Sequence, residues 1–433
     1  MSRRNSLSLF ASTALNGPSA PAGASLSRLT NFPRTLHFEQ NRLSLFSEPV
    51  GENYDHIIWG RFYAPPANPG DDELSASINL PNLLQLGSVH IKARIKGSPG
   101  PSIVNLKHHL RFTVNGSSVP SADIYFQSNA VKDIEADLPA SLFVAGVNNL
   151  SFRSMGDVSG GDYDIINLDY FDVTYPHDWM ADTNSAEVTQ LDSGRAITVD
   201  GFSAADLVAY DITSISDVKV LTSPLIAANG RGGFYMTLAS PLDYAFDTHK
   251  FSILKATQYL RPTSIELNEG SHLHSTSQGA DVIYIGSREL LSAISPLSDL
   301  RSSQGFRVQK VDIESIYSEF GLGERNDQAV KSFLQYVKQN WQAPALKYVV
   351  LVGDGSYDPK NTLGFGRPNM LPVHYISGLY TDYLSDNWFV SFNLNDSLPS
   401  MAIGRIPADS ASQVDTYVSK VLAYENGTDD ANV

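Results

Sequence analysis

The chain has 433 residues, a formal net charge of −15 at pH 7 and no cysteine. At roughly 150 residues per domain, the length points to about three domains. The missing cysteine excludes disulfides, thiolate metal sites and a thiolate nucleophile supplied by this chain. No Lys/Arg-rich run interrupts the acidic balance, so nucleic acid has no electrostatic footprint to bind. No apolar run approaches the ~18 residues that a transmembrane helix needs.

Residues 1–34 read as a disordered or signal-like N-terminus. Arg3 and Arg4 precede a short apolar patch, Leu7 to Leu15, and Ala-rich sequence to Ala24. Ser8, Ser12 and Thr13 break the apolar core that a signal peptide would need.

Residues 35–178 are expected to form a jelly-roll-like β-sandwich. Val89, Ile91, Ala93 and Ile95 alternate with His90, Lys92, Arg94 and Lys96, as in a strand with one buried face. Leu110, Phe112 and Val114 run into Asn115-Gly116, a hairpin turn signal. Near the end, strict alternation puts Asn167, Asp169, Phe171, Val173 and Tyr175 on one face, and Ile166, Leu168, Tyr170 and Asp172 on the other. Trp59, Phe62, Tyr63 and Trp179 are candidates for stacking on a surface glycan, against the plainer reading that they pack the core or an edge. Asp162, Asp164, Asp169 and Asp172 are oxygen donors of the kind calcium takes, although their spacing fits no EF-hand loop.

Residues 187–266 read as a second small β module punctuated by Asn229-Gly230 and Gly232-Gly233. Residues 267–279 read as a polar linker. His272 and His274 lie two apart in it, a metal-like spacing without a third ligand, and are taken as linker residues.

From Ala280 the pattern changes to an α/β half, 280–433. Apolar runs at Val282 to Ile285, Phe306 to Val311, Tyr348 to Val352 and Met401 to Ile403 alternate with helical periodicity. The expected helices are Glu289 to Ser303, stopped at Gly305 and started or kinked by Pro296; Ala329 to Trp341 behind Asn326; and Val414 to Leu422 behind Asp409 or Ser410. Such alternation predicts a doubly wound, mostly parallel sheet. Ligands of these sheets sit beyond the C-terminal strand ends, which singles out Gly353-Asp354-Gly355-Ser356-Tyr357-Asp358. Asp354 and Asp358 could hold a cation or a substrate group, or only shape the turn. Ser356 lacks the second glycine of a nucleophile elbow, so a Ser356–His374 hydrolase is unsupported. No catalytic residue is assigned, and no cofactor beyond calcium is considered.

Several stretches of 280–425 resemble the gingipain-type cysteine peptidases: "LRSSQGFRVQKV", "YVVLVGDGSYD", "LPVHY", "TDYLSDNW" and above all "MAIGRIPADSASQVDTYVSKVLAYE". "HHLRFTVNG" and "NLDYFDVTYP" look like leader regions of large secreted members. The resemblance implies a multidomain bacterial protein, extracellular or at the cell surface. Sandwich modules would precede the first part of a caspase-like catalytic domain acting on protein or peptide substrates. The family's catalytic His, in a Gly-His-Gly setting, and its Cys would follow the helix that ends near Glu425. Neither pattern occurs here, so a truncated and inactive chain is expected. The alternative is a non-catalytic surface or binding protein. The family includes hydrolases and a transpeptidase.

Overall fold

The computed structural model describes residues 31–45, 50, 56–98, 107–117, 122–127, 130–158, 163–190, 196–222, 224–238, 248–265, 270–366, 369–378, 381–393 and 398–427. The chain divides into two compact units, residues 1–40 with 58–263, and residues 41–57 with 264–433. The signal-like stretch up to residue 30 lies outside the described residues. Residues 32–34 already belong to the strand Phe32–Glu39, which moves the start of ordered sheet ahead of the expected residue 35.

The first unit opens with two antiparallel sheets. One runs in the order Phe32–Glu39, Asp164–His177, Ser88–Ser98 and Val131–Pro139, with Gly60–Ala64 also paired to Asp164–His177. The other runs Glu73–Leu80, Gly146–Ser154, Lys107–Val114 and Ala122–Gln127. Ile91, Ala93 and Ile95 from the first sheet share one core with Phe112 and Phe152 from the second. Asn115 and Gly116 both take positive φ, 51° and 67°, as a primed hairpin turn requires. The strand Asp164–His177 departs from strict alternation. Ile166 and Leu168 are buried, and so are Phe171, Val173 and Tyr175. A register shift between Leu168 and Tyr170 separates the two sets. A bulge inserts one residue and flips the parity beyond it, so both apolar sets reach the core.

The second β module contains the sheets Ser185–Gln190, His249–Lys255, Leu207–Asp211, Lys219–Val220 and Ile197–Phe202, Phe234–Leu238, Leu225–Ala228. Phe32 and Trp179 are buried in its core with Val199, Met236 and Phe251. The first strand of the sandwich therefore also packs the module that follows it.

In the second unit, the strands Val308–Asp312, Val282–Gly286, Tyr348–Val352 and Ala402–Ile406 lie side by side, all parallel. Ile283, Ile285, Val349 and Leu351 face helices α3 (Ile313–Phe320) and α4 (Asp327–Asn340). Val282, Tyr284 and Val352 face α1 (Arg288–Ala293), α2 (Ser295–Ser303) and α5 (Ala411–Glu425). The sheet is thus doubly wound. The helix expected over Glu289 to Ser303 is two helices, because Pro296 cannot donate into a continuous ladder and starts the second one. The described part of the expected linker, 270–279, is docked rather than free. Leu273 is buried in the α3/α4 core, and Glu319 accepts hydrogen bonds from Leu273 N (3.1 Å), His274 N (3.2 Å), His274 Nδ1 (2.9 Å) and the Ser271 hydroxyl.

Candidate functional site at the C-terminal strand ends

Strand Val282–Gly286 precedes both its neighbours, Val308–Asp312 and Tyr348–Val352, in sequence. The chain therefore winds in opposite directions from it, and the loops beyond these strands border the switch point where ligands of open α/β sheets bind. The loop after Val352 begins at Gly353, whose φ is +144°. A Cβ there would stand 2.9 Å from Met370 Cβ, so only glycine fits the turn. Asp354 is tied through its backbone, donating to Ala408 O (3.1 Å) and accepting from Met370 N and Leu371 N (both 3.0 Å).

The side chains expected to do chemistry here are largely occupied. Asp358 accepts from Thr362 N at 2.8 Å with one carboxylate oxygen and from Leu363 N at 2.6 Å with the other. Ser356 Oγ donates to Asp358 O (3.1 Å) and accepts from Asp358 N (3.0 Å). This is a self-closing turn, so Asp358 fits a cation poorly and Ser356 has no hydroxyl proton to spare for His374. Asp354 spends one oxygen on Gly355 N at 2.8 Å. Among the described residues, no cluster of three or more His, Asp or Glu is placed to hold a metal. The loop nevertheless opens onto a cavity of about 460 Å³ lined by Asp354, Tyr357, Leu363, Phe365, Leu384 and Asp409.

Three arrangements around this loop escaped the sequence reading. Arg405, on the last strand, donates to Gly353 O (3.1 Å), Pro372 O (2.9 Å) and the Asp386 carboxylate (2.7 Å), and so ties three loops together. His374 bonds Asp327 through Nδ1 at 2.6 Å and lies flat on Trp388, 3.5 Å between centroids. Lys331 Nζ sits 3.7 Å from the centroid of the same indole, a cation–π contact. His56 Nε2 and Val50 N bond one oxygen of Asp382 at 2.8 and 2.7 Å, and the His56 ring stacks on Tyr375 at 3.9 Å. "LPVHY" and "TDYLSDNW" carried His374, Asp382, Asp386 and Trp388. Their partners Arg405, Asp327 and His56 lie 19, 47 and 326 residues away, beyond any local pattern.

The candidates in the first unit fall differently. Trp59, Phe62 and Trp179 are buried in the cores and cannot stack on a glycan, while Tyr63 packs edge-on against Tyr163 with its hydroxyl on Asp71. Both oxygens of Asp164 are used, by His108 Nδ1 (2.7 Å) and His109 N (3.1 Å), and Asp172 pairs with His37 (2.7 Å). Asp169 lies in the field of Arg94. Asp162 lies outside the described residues. The described carboxylates therefore do not converge on a calcium site.

Residues 275–433 match the model of Peptidase family C25. The matched residues cover the parallel sheet, the Gly353–Asp358 loop, the Arg405 junction and α5. Among solved structures, the chain is similar to the crystal structure of dimeric latent PorU from Porphyromonas gingivalis. The TM-score is 0.65 and the identity 16%, over 93% of this chain and 39% of that one, so this chain spans about two fifths of that protein's length. At this identity the likeness shows the fold alone. A family 36 carbohydrate-binding module in complex with calcium and xylotriose aligns over 32% of this chain and 98% of its own, with 12% identity and a TM-score of 0.21, too low to carry an argument. No curated protein matches the sequence.

Proposed function

We propose that the C25 segment is the front part of a cysteine-type peptidase domain with a caspase-like fold. It would seat a protein or peptide chain across the C-terminal ends of its parallel strands. The match of residues 275–433 to the peptidase family carries this reading, because it falls on the sheet whose strand-end loops border the cavity. A thiolate must attack the scissile carbonyl with a histidine to manage the proton. The chain has no cysteine, so that thiolate would come from sequence outside these 433 residues. By the same family likeness the protein works outside the cell or at the surface of a bacterium. Among the described residues no helix is long and apolar enough to cross a membrane.

Two measurements test this. The purified chain is expected to show no thiol-dependent cleavage of casein; cleavage abolished by a thiol alkylator would overturn the assignment of the nucleophile. Genomic sequence beyond the Val433 codon is expected to encode Gly-His-Gly and a cysteine in the same or a singly shifted frame. A stop followed by an unrelated gene would favour the second reading, a non-catalytic surface-binding protein. That reading draws on the missing cysteine and on the engaged hydroxyl of Ser356.

A further inference from the structure

The four-stranded sheet of the sandwich turns Leu110, Phe112, Leu150 and Phe152 to the core. Its other face meets solvent, and the cross-strand register places Tyr125 opposite His109 and Asp123 opposite Arg111 there. Tyr125 is 64% exposed. Its ring nevertheless lies nearly flat on the buried His109 ring, 4.0 Å between centroids and 21° between planes. His109 cannot rotate. Its Nδ1 lies 2.8 Å from Asp157 and its Nε2 3.1 Å from Asp123, and Arg111 Nε donates to that same Asp123 oxygen at 2.7 Å. One face of the tyrosine is thus backed by a fixed imidazole and the other is open to water.

The surroundings decide what such a ring is for. A protein-docking hot spot seats its aromatic anchor in a close-packed, desolvated pocket, whereas Tyr125 stands on an open sheet face. Here the rim is Asp123, Arg111 and Asp157, and further along the same face stand Thr113, Ser151 and Ser75. Carboxylates beside the ring would repel a phosphate backbone. A pyranose matches both parts, since its C–H face lies on an aromatic plane while its hydroxyls radiate toward charged donors and acceptors. The ring is pre-ordered, so little side-chain entropy remains to be lost on binding.

We infer that the outer face of this sheet binds carbohydrate, with Tyr125 stacking on one pyranose ring of an oligosaccharide whose hydroxyls are equatorial, leaving a flat C–H face, and Asp123, Arg111 and Asp157 engaging its hydroxyls. The site is independent of the peptidase reading and uses none of the aromatic residues that the sequence suggested.

Calorimetric titration of the full chain with cellohexaose and with chitohexaose tests it. At least one hexaose is expected to bind saturably. Tyr125→Ala should weaken that binding about three- to tenfold, the size of one lost stacking contact. Tyr125→Phe, which keeps the ring, should stay within about twofold of the unsubstituted chain. Because Tyr125 is exposed, an unchanged melting temperature separates lost binding from lost folding. No saturable binding of either hexaose up to about 10 mM, a concentration that would reveal even millimolar affinity, would overturn the inference. So would a Tyr125→Ala chain that binds as tightly as the unsubstituted one.

Discussion

Replacing Arg405 with alanine should unlatch the strand-end loops of the second unit. The side chain is 11% exposed and its partner Asp386 30% exposed. Removal leaves the Asp386 carboxylate and the carbonyls of Gly353 and Pro372 without their guanidinium donor. Hydrogen bonds to a charged group contribute about 1.5–3 kcal/mol each, and the partly exposed ion pair belongs at the low end. Water will satisfy some of the freed oxygens, so the expected net loss is about 3–4 kcal/mol. For a unit of this size each kcal/mol moves the melting temperature by about 2–4 °C, giving a fall of about 6–16 °C. Urea unfolding followed by tryptophan fluorescence reads this in a Trp59→Phe/Trp179→Phe background, which leaves Trp341 and Trp388 of the second unit as the reporters. Arg405→Lys should recover less than half of the loss, because an ammonium cannot span a carboxylate and two carbonyls at once. A loss below about 1 kcal/mol for Arg405→Ala would refute the idea that this guanidinium holds the loops.

Asp358→Asn should cost about 1–2 kcal/mol, because the amide accepts only one of the two backbone N–H groups now bound, from Thr362 and Leu363. Differential scanning fluorimetry of the Asp358→Asn chain should show that loss as a melting temperature lower by about 2–8 °C. His37 is held above its usual pKa: burial opposes the charged ring, but Asp172 and Glu39 accept its hydrogen bonds and outweigh burial. The stabilisation from a raised pKa is fully present below the unfolded value of about 6.5 and fades as pH rises through the folded value. His37→Gln should flatten that slope in melts across pH 5–9 (about one titration to either side), and an unchanged slope would count against the pairing. Glu319→Ala should free residues 270–275 to protease attack while α3 and α4 stay folded, and mass spectrometry of a limited thermolysin digest would show where cleavage falls. Burial pushes the Glu319 carboxyl up, yet its bonds to Ser271 and His274 bring it below the usual range, so that clasp loosens only as pH falls through its folded pKa.

Elements whose cause is local were legible in the sequence. The alternation in Val89 to Ile95, the positive-φ turn at Asn115-Gly116, the Asn326 side chain capping α4 through Ala329 N (2.8 Å) and the fully buried strand Val282–Gly286 follow from period, cap and turn chemistry. Helix α3 was missed; it is only Ile313–Phe320, with Asp312 ending a strand and capping the helix at once. The parity flip at Asp169 was missed because a bulge leaves no mark in an alternating pattern. For Trp59 and Trp179 the plainer of the two readings, core packing, is the one the fold bears out, although an exposed platform would look as apolar in the chain. Tyr125 was passed over because its partner His109 stands across a strand pair.

The seat of His56 also sets an order of events during synthesis. Leu45 and His56 belong to the second unit, yet His56 is separated from its partner Asp382 by 326 residues. A ribosome adding about 5–20 residues per second needs about 15–65 s to cover that distance. Through that interval the sandwich strands can pair, and Leu43–Ser44 can pair with Ile57–Ile58, while Asp382 has yet to be made. His56, which ends 5% exposed, can bond Asp382 and stack on Tyr375 only once the strands Tyr375–Ser377 and Asp382–Leu384 emerge. One of the first pieces of chain to be made therefore meets its partner only after three of the four strands of the second unit's parallel sheet have been synthesised. Slowing translation before the codon for Tyr375 would lengthen the interval in which that piece is exposed to aggregation.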